Sequence, residues 1–159
     1  MSNKFICDYN ISGKGTPLFL IHGIGSNKKA WDGLIEDLSK FFTVITYDLR
    51  GHGKSIINNK IFSLDDLIND LENLRIHLDI QKGFFAGHSL GGMIAPMYSI
   101  KHPSKVLKVG MLSTIAGRSQ KDKEKVLNII NQMKINGIEN TLNTLKNRWF
   151  TEDFIKLNY

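Results

Sequence analysis

Residues 83–92 read Gly83-Phe84-Phe85-Ala86-Gly87-His88-Ser89-Leu90-Gly91-Gly92. The first four form a short apolar run of strand length, and the next six set a serine between glycines at G-x-S-x-G spacing before the helix-competent Met93-Ile94-Ala95. Strand, sharp turn and helix is the context that presents such a serine at the carboxyl end of a sheet. Glycines on either side let the backbone turn tightly, and the hydroxyl stands over a helix N-terminus. Ser89 is therefore a candidate nucleophile, and the stretch predicts a mostly parallel sheet flanked by helices.

The rest of the chain repeats the alternation. Residues 17–23 (PLFLIHG) and 42–47 (FTVITY) are continuous buried-strand runs, residues 106–112 (VLKVGML) supply another, and residues 4–11 read as a weaker, more polar strand at a sheet edge. Between them, Trp31, Leu34, Ile35 and Leu38 share one helical face. Leu64, Leu67, Ile68, Leu71, Leu74 and Leu78 make a longer stripe, with Ser63 as its N-cap and Asp65 and Asp66 in its first turn. The helix after Ser89 is expected to run to Lys101-His102-Pro103 and to kink at Pro96, which cannot bond the Gly92 carbonyl. From Arg118 the strands cease, and two amphipathic helices are predicted, at about 121–135 and 138–148, split by Asn136-Gly137. The expected organisation is an α/β core over residues 1–117 and a helical segment over 118–159.

A second glycine-rich segment, His22-Gly23-Ile24-Gly25, ends the 17–23 strand. In a doubly wound sheet that end faces the same crevice as Ser89. Acyl transfer needs fixed donors where the oxyanion forms, and the backbone N–H groups of Leu90 and Ile24 are the candidates. Asp48, Arg50 and His52 contain an acid and a base, yet they read as a structural turn after a sheet strand, and Trp31 reads as helix packing.

Taken together, these motifs resemble the α/β-hydrolase superfamily. The elements that carry the resemblance are His22-Gly23-Ile24-Gly25, Trp31, the segment Tyr47-Asp48-Leu49-Arg50-Gly51-His52-Gly53-Lys54-Ser55 and the turn Gly87-His88-Ser89-Leu90-Gly91-Gly92, in that order. Within it the chain is most similar to 3-oxoadipate enol-lactonases and related esterases. That similarity rests on Ser63-Leu64-Asp65-Asp66-Leu67, Leu90-Gly91-Gly92-Met93-Ile94, Ser113-Thr114-Ile115-Ala116-Gly117-Arg118 and Arg148-Trp149-Phe150-Thr151. His22-Gly23-Ile24-Gly25 departs from the usual enol-lactonase oxyanion segment, and His88 replaces the usual residue before the serine; both fit a general esterase. The resemblance implies a cofactor-free serine hydrolase of small carboxylic esters or lactones. It also implies that residues 118–159 begin a helical cap, within which the chain stops, and that Trp149 is a candidate substrate-lining residue.

A serine nucleophile needs a histidine within hydrogen-bond reach and a carboxylate to orient it. In the resembled fold the chain order is Ser, acid, His. After Ser89 the only histidine is His102, and no acid lies between them. His102 follows a helix of about thirteen residues, ~20 Å away. The expectation is that this chain supplies neither catalytic base nor acid. A non-catalytic fragment, or a module that binds a small acyl compound, is the alternative. Without further strands beyond it, the 106–112 strand is expected to be a sheet edge open to self-association.

Composition narrows the field further. The 159 residues carry a formal charge of +6, 42% hydrophobic residues and one cysteine. Lys and Arg are interspersed with acids, as in Lys121-Asp122-Lys123-Glu124-Lys125, which reads as a solvated surface and predicts no nucleic-acid partner. No apolar run approaches the roughly 20 residues of a membrane span, so no membrane partner is expected. The single Cys7 and the lack of metal-ligand spacing predict no disulfide, no metal and a cytoplasmic location.

Overall fold

The computed structural model describes residues 7–55, 61–115, 117 and 119–158. The chain divides into two compact units, Met1–Ala116 and Gly117–Tyr159. The first holds a five-stranded sheet of β1 (Tyr9–Ser12), β2 (Thr16–Ile21), β3 (Phe42–Tyr47), β4 (Gly83–His88) and β5 (Val106–Leu112), in the order β1-β3-β2-β4-β5. Only β1 runs antiparallel to its neighbour, and the other pairings are parallel. The expected α/β class and mostly parallel sheet are what the chain adopts. The weak first strand is an edge, as its polarity predicted, and is described as Tyr9–Ser12; residues 4–6 of the expected strand lie outside the described residues.

The helices of this unit are α1 (Asp32–Leu38), α2 (Leu64–His77) and α3 (Leu90–Lys101). A 3-10 turn at Lys28–Trp31 precedes α1. Side-chain alternation on the strands builds two cores. Phe19, Ile21, Ile45, Tyr47 and Phe85 meet Leu67, Ile68, Leu71 and Leu74 of α2 and Ile94, Ala95 and Tyr98 of α3 on one face. Leu18, Leu20 and Val44 meet Trp31, Ile35 and Leu38 on the other. Phe19 and Phe85, opposite each other in the parallel register, stack at 4.8 Å.

Local signals explain the boundaries. Ser63 accepts from Asp66 N–H while the Asp66 carboxylate accepts from Ser63 N–H, a complete capping box that starts α2. Pro96 does not interrupt α3, which continues over 12 residues. At the outer edge, β5 pairs with β4 alone among the described residues and leaves Leu107, Met111 and Leu112 about half exposed.

The second unit is helical: α4 (Gln120–Asn136), α5 (Ile138–Trp149) and α6 (Glu152–Asn158). Gly137, at φ +82, ends α4 where Asn136-Gly137 predicted the break. The third helix was not expected; Thr151 Oγ1 accepts from Phe154 N–H at its start. Among the described residues, no helix is long and apolar enough to cross a membrane.

Candidate functional site

Ser89 joins β4 to α3 with φ +53 and ψ −111, a left-handed conformation that a side chain bearing Cβ adopts only under tertiary constraint. Three contacts supply that constraint. Ser89 N–H donates to Leu112 O at 3.0 Å, which extends the β4–β5 ladder by one residue. Thr114 Oγ1 donates to Ser89 O at 2.9 Å. The flanking glycines allow the chain to close up: a Cβ on Gly87 would strike the backbone of Gly91, and one on Gly91 would strike the carbonyl of Ile21. The helix therefore packs directly on the end of β2.

That packing brings in the loop after β2. A Cβ on Gly23 would stand 3.1 Å from Ser89 Cβ and 3.2 Å from His88 Nδ1. Ile24, the next residue, exposes its side chain, and Gly25 turns the chain at φ +72. Of the residues singled out in the sequence, Ser89, Leu90 and the segment containing Ile24 come together at the carboxyl ends of β2 and β4. Leu90 is the first residue of α3, and Ser89 makes no side-chain cap bond to that helix. Trp149 belongs to the helical unit and is 55% exposed.

The histidines are placed as follows. His22 is buried, faces Gly23 O with Nδ1 at 2.7 Å, and accepts from Leu49 N–H with Nε2 at 2.9 Å. Burial holds its pKa below the ordinary 6.5, although the Gly23 bond opposes the shift. His52 Nε2 accepts from Gly25 N–H at 3.2 Å, and its Nδ1 lies 3.1 Å from Arg50 O. His77 ends α2 against the Tyr9 hydroxyl. His102 stacks on Tyr98 beyond the far end of α3. His88 is exposed, and its Nδ1 lies 3.2 Å from where a Cβ on Gly23 would stand.

The 48–55 segment is structural, as its sequence predicted. Asp48 accepts from Lys28 N–H at 2.7 Å and Lys54 N–H at 2.9 Å, and pairs with the Lys28 ammonium at 3.3 Å. Desolvation raises its pKa, but these donors outweigh it and hold the carboxyl below the ordinary value. Arg50 grips Asp70 of α2 through two bonds of 2.5 and 2.6 Å. Two participants were not singled out in the sequence: Lys28, buried between Asp8 and Asp48, and Thr114, which fixes the serine's carbonyl. Thr114 carried one signal, its place in the motif directly after the last strand.

A serine at the strand-to-helix turn of a mostly parallel sheet, faced by the loop of a neighbouring strand end, defines a hydrolase-type α/β architecture. The chain belongs to the alpha/beta hydrolase fold family, whose profile matches residues 16–145. It is 30% identical over 156 residues to the (E)-2-((N-methylformamido)methylene)succinate hydrolase of Acinetobacter baylyi, covering 98% of this chain and 59% of that protein. Among solved structures it resembles the enol-lactonase of Burkholderia xenovorans, with a TM-score of 0.85 and 26% identity over 93% of this chain and 58% of that one. A structure described for carboxylesterases of the thaumarchaeon Nitrososphaera gargenis matches with a TM-score of 0.79 and 37% identity, over 86% and 52%. The chain spans between 21% and 59% of the length of the curated relatives compared with it.

Proposed function

We propose that this chain carries the nucleophile and oxyanion portion of a serine hydrolase acting on small carboxylic esters or lactones. Ser89 Oγ attacks the carbonyl carbon, and the N–H groups of Ile24 and Leu90 receive the oxyanion. The observation that carries this reading is the constrained Ser89 backbone with Gly23, at the start of the 23–25 loop, packed against it. The likeness to a succinate-derivative hydrolase, an enol-lactonase and carboxylesterases supports the substrate class. No cofactor takes part. Residues 118–159 are read as the first helices of a cap, with Trp149 as a substrate-lining residue. Buried, unpaired Cys7 fits a reducing cytoplasmic setting.

Proton removal from Ser89 is not supplied by this chain in our reading. His22 and His52 have both ring nitrogens engaged, and His77 and His102 stand at the ends of α2 and α3. The same placement favours a second reading, a binding module for a small acyl compound. One experiment separates them: the purified chain is treated with a fluorophosphonate and assayed with p-nitrophenyl acetate, beside Ser89→Ala. Slow labelling at Ser89 without turnover above background is expected. Turnover that disappears in Ser89→Ala, or is lost in His88→Ala, would overturn the absence of a base; a folded chain that never labels at Ser89 would overturn the nucleophile.

A further inference from the structure

The loop after β2 is held at both ends by imidazoles whose protonation the hydrogen bonds determine. A ring nitrogen that accepts a backbone N–H carries a lone pair, so the proton of a neutral ring sits on the other nitrogen. His22 accepts at Nε2 and therefore donates from Nδ1 to Gly23 O. His52 accepts from Gly25 N–H at Nε2 and donates from Nδ1 to Arg50 O. The two rings meet edge to face at 5.3 Å. Gly23 is thus tied through its carbonyl and Gly25 through its N–H, with Ile24 between them.

The two ties differ in exposure. His22 is buried, whereas His52 is half-buried. A proton on His52 Nε2 would replace the lone pair with an N–H aimed at the Gly25 N–H, so the bond would become a contact between two donors. Among the described residues, the His22 ring at the end of β2 meets His52, and Asp48, Arg50 and Lys54 share its segment, with Lys28 of the 3-10 turn reaching that segment through Asp48. Asp48 is bonded by Lys28 and by Lys54 N–H, and Arg50 by Asp70 and Asp66 of α2, so each carboxylate here already faces a donor.

We propose that His52 is a positioning residue for the 23–25 loop: its neutral Nδ1–H form holds Gly25, and with it the Ile24 peptide that follows the Gly23–Ser89 contact, and protonation releases them. The consequence for catalysis rests on the proposed oxyanion role of Ile24, but the tie does not. The test is nuclear magnetic resonance on the 15N-labelled chain. The ring nitrogens of His52 are expected to show the Nδ1–H tautomer at alkaline pH. The Gly25 and Ile24 amide signals should move with the His52 titration, and Gly25 exchange protection should fall about tenfold as the ring protonates, the factor set by one net hydrogen bond. In His52→Gln, whose carbonyl accepts in place of Nε2 and does not titrate, protection should persist across the pH range; in His52→Phe it should be absent throughout. Gly25 signals that stay flat through the His52 titration, or an Nε2–H tautomer, would overturn the proposal. Should His52→Phe not fold, the wild-type titration and His52→Gln decide it. Failure of Ser89 to label with a fluorophosphonate while Gly25 still titrates would count against the hydrolase reading and leave the tie standing.

Discussion

Gly23 and Ser89 lie in contact across two strand ends, so close that a methyl group on Gly23 would stand 3.1 Å from Ser89 Cβ. The glycines around the turn therefore form a graded series. At Gly23 the obstacles are mainly side chains, and Gly23→Ala should cost about 1 kcal/mol. At Gly91 the obstacle is the β2 backbone itself, and Gly91→Ala should cost ~3 kcal/mol or more. Gly33, within α1, has nothing near its Cβ position, so Gly33→Ala should stabilise by roughly 0.5–1 kcal/mol. Urea midpoints of the three variants check the order.

The Arg50–Asp70 pair joins the turn after β3 to α2, with the Asp70 side chain 2% exposed. Removing Arg50 leaves the buried Asp70 carboxylate without this counter-charge, and removing Asp70 takes from Arg50 its two-bond partner and leaves Asp66 at 3.8 Å. Asp70→Ala and Arg50→Ala should each cost about 3 kcal/mol, whereas the apolar double variant Arg50→Met/Asp70→Leu should cost well under the sum. A double-mutant cycle by chemical denaturation is the measurement.

Two groups make stability fall on the acid side, over different ranges of pH. The folded pKa of Asp48 lies below its unfolded value of 3.8, so its contribution is complete above that value and lost as pH falls through the lower, folded one. Asp48→Asn should be less stable than the wild type at about pH 7, with the gap closing toward about pH 3. The folded pKa of His22 lies below 6.5, so the cost of keeping it neutral appears only as pH drops beneath 6.5. His22→Gln should remove the stability loss seen between about pH 7 and pH 5.

Self-association through β5 is expected from its open backbone and from the exposed Leu107 and Met111. Sedimentation equilibrium should give a mass that rises with concentration. Leu107→Lys/Met111→Lys should weaken association by about tenfold or more without unfolding the chain; an unchanged mass profile would refute the edge as the contact.

Much of the fold was legible because its signals are local. Continuous apolar runs placed β2 to β5, the helical hydrophobic pattern placed α2, and Ser63 with Asp66 marked where α2 begins. The Ser89 turn was legible because Gly87 and Gly91 are required by close backbone approach and leave a spacing in the sequence. What could not be read were partners brought together from afar: His22 with Leu49 and His52 with Gly25, each pair 27 residues apart, and Lys28 with Asp48, 20 apart.

By itself, then, the sequence determined the alternation of strands and helices, the constrained serine and the family the chain belongs to, since each depends on residues within a turn or two of one another. Tertiary structure alone decided that Gly23 meets Ser89, that Lys28 is buried, and that His22 and His52 use their nitrogens on backbone groups. Those outcomes depend on the parallel register of β3, β2 and β4, which aligns strand ends distant along the chain and leaves each buried polar group to find its partner there.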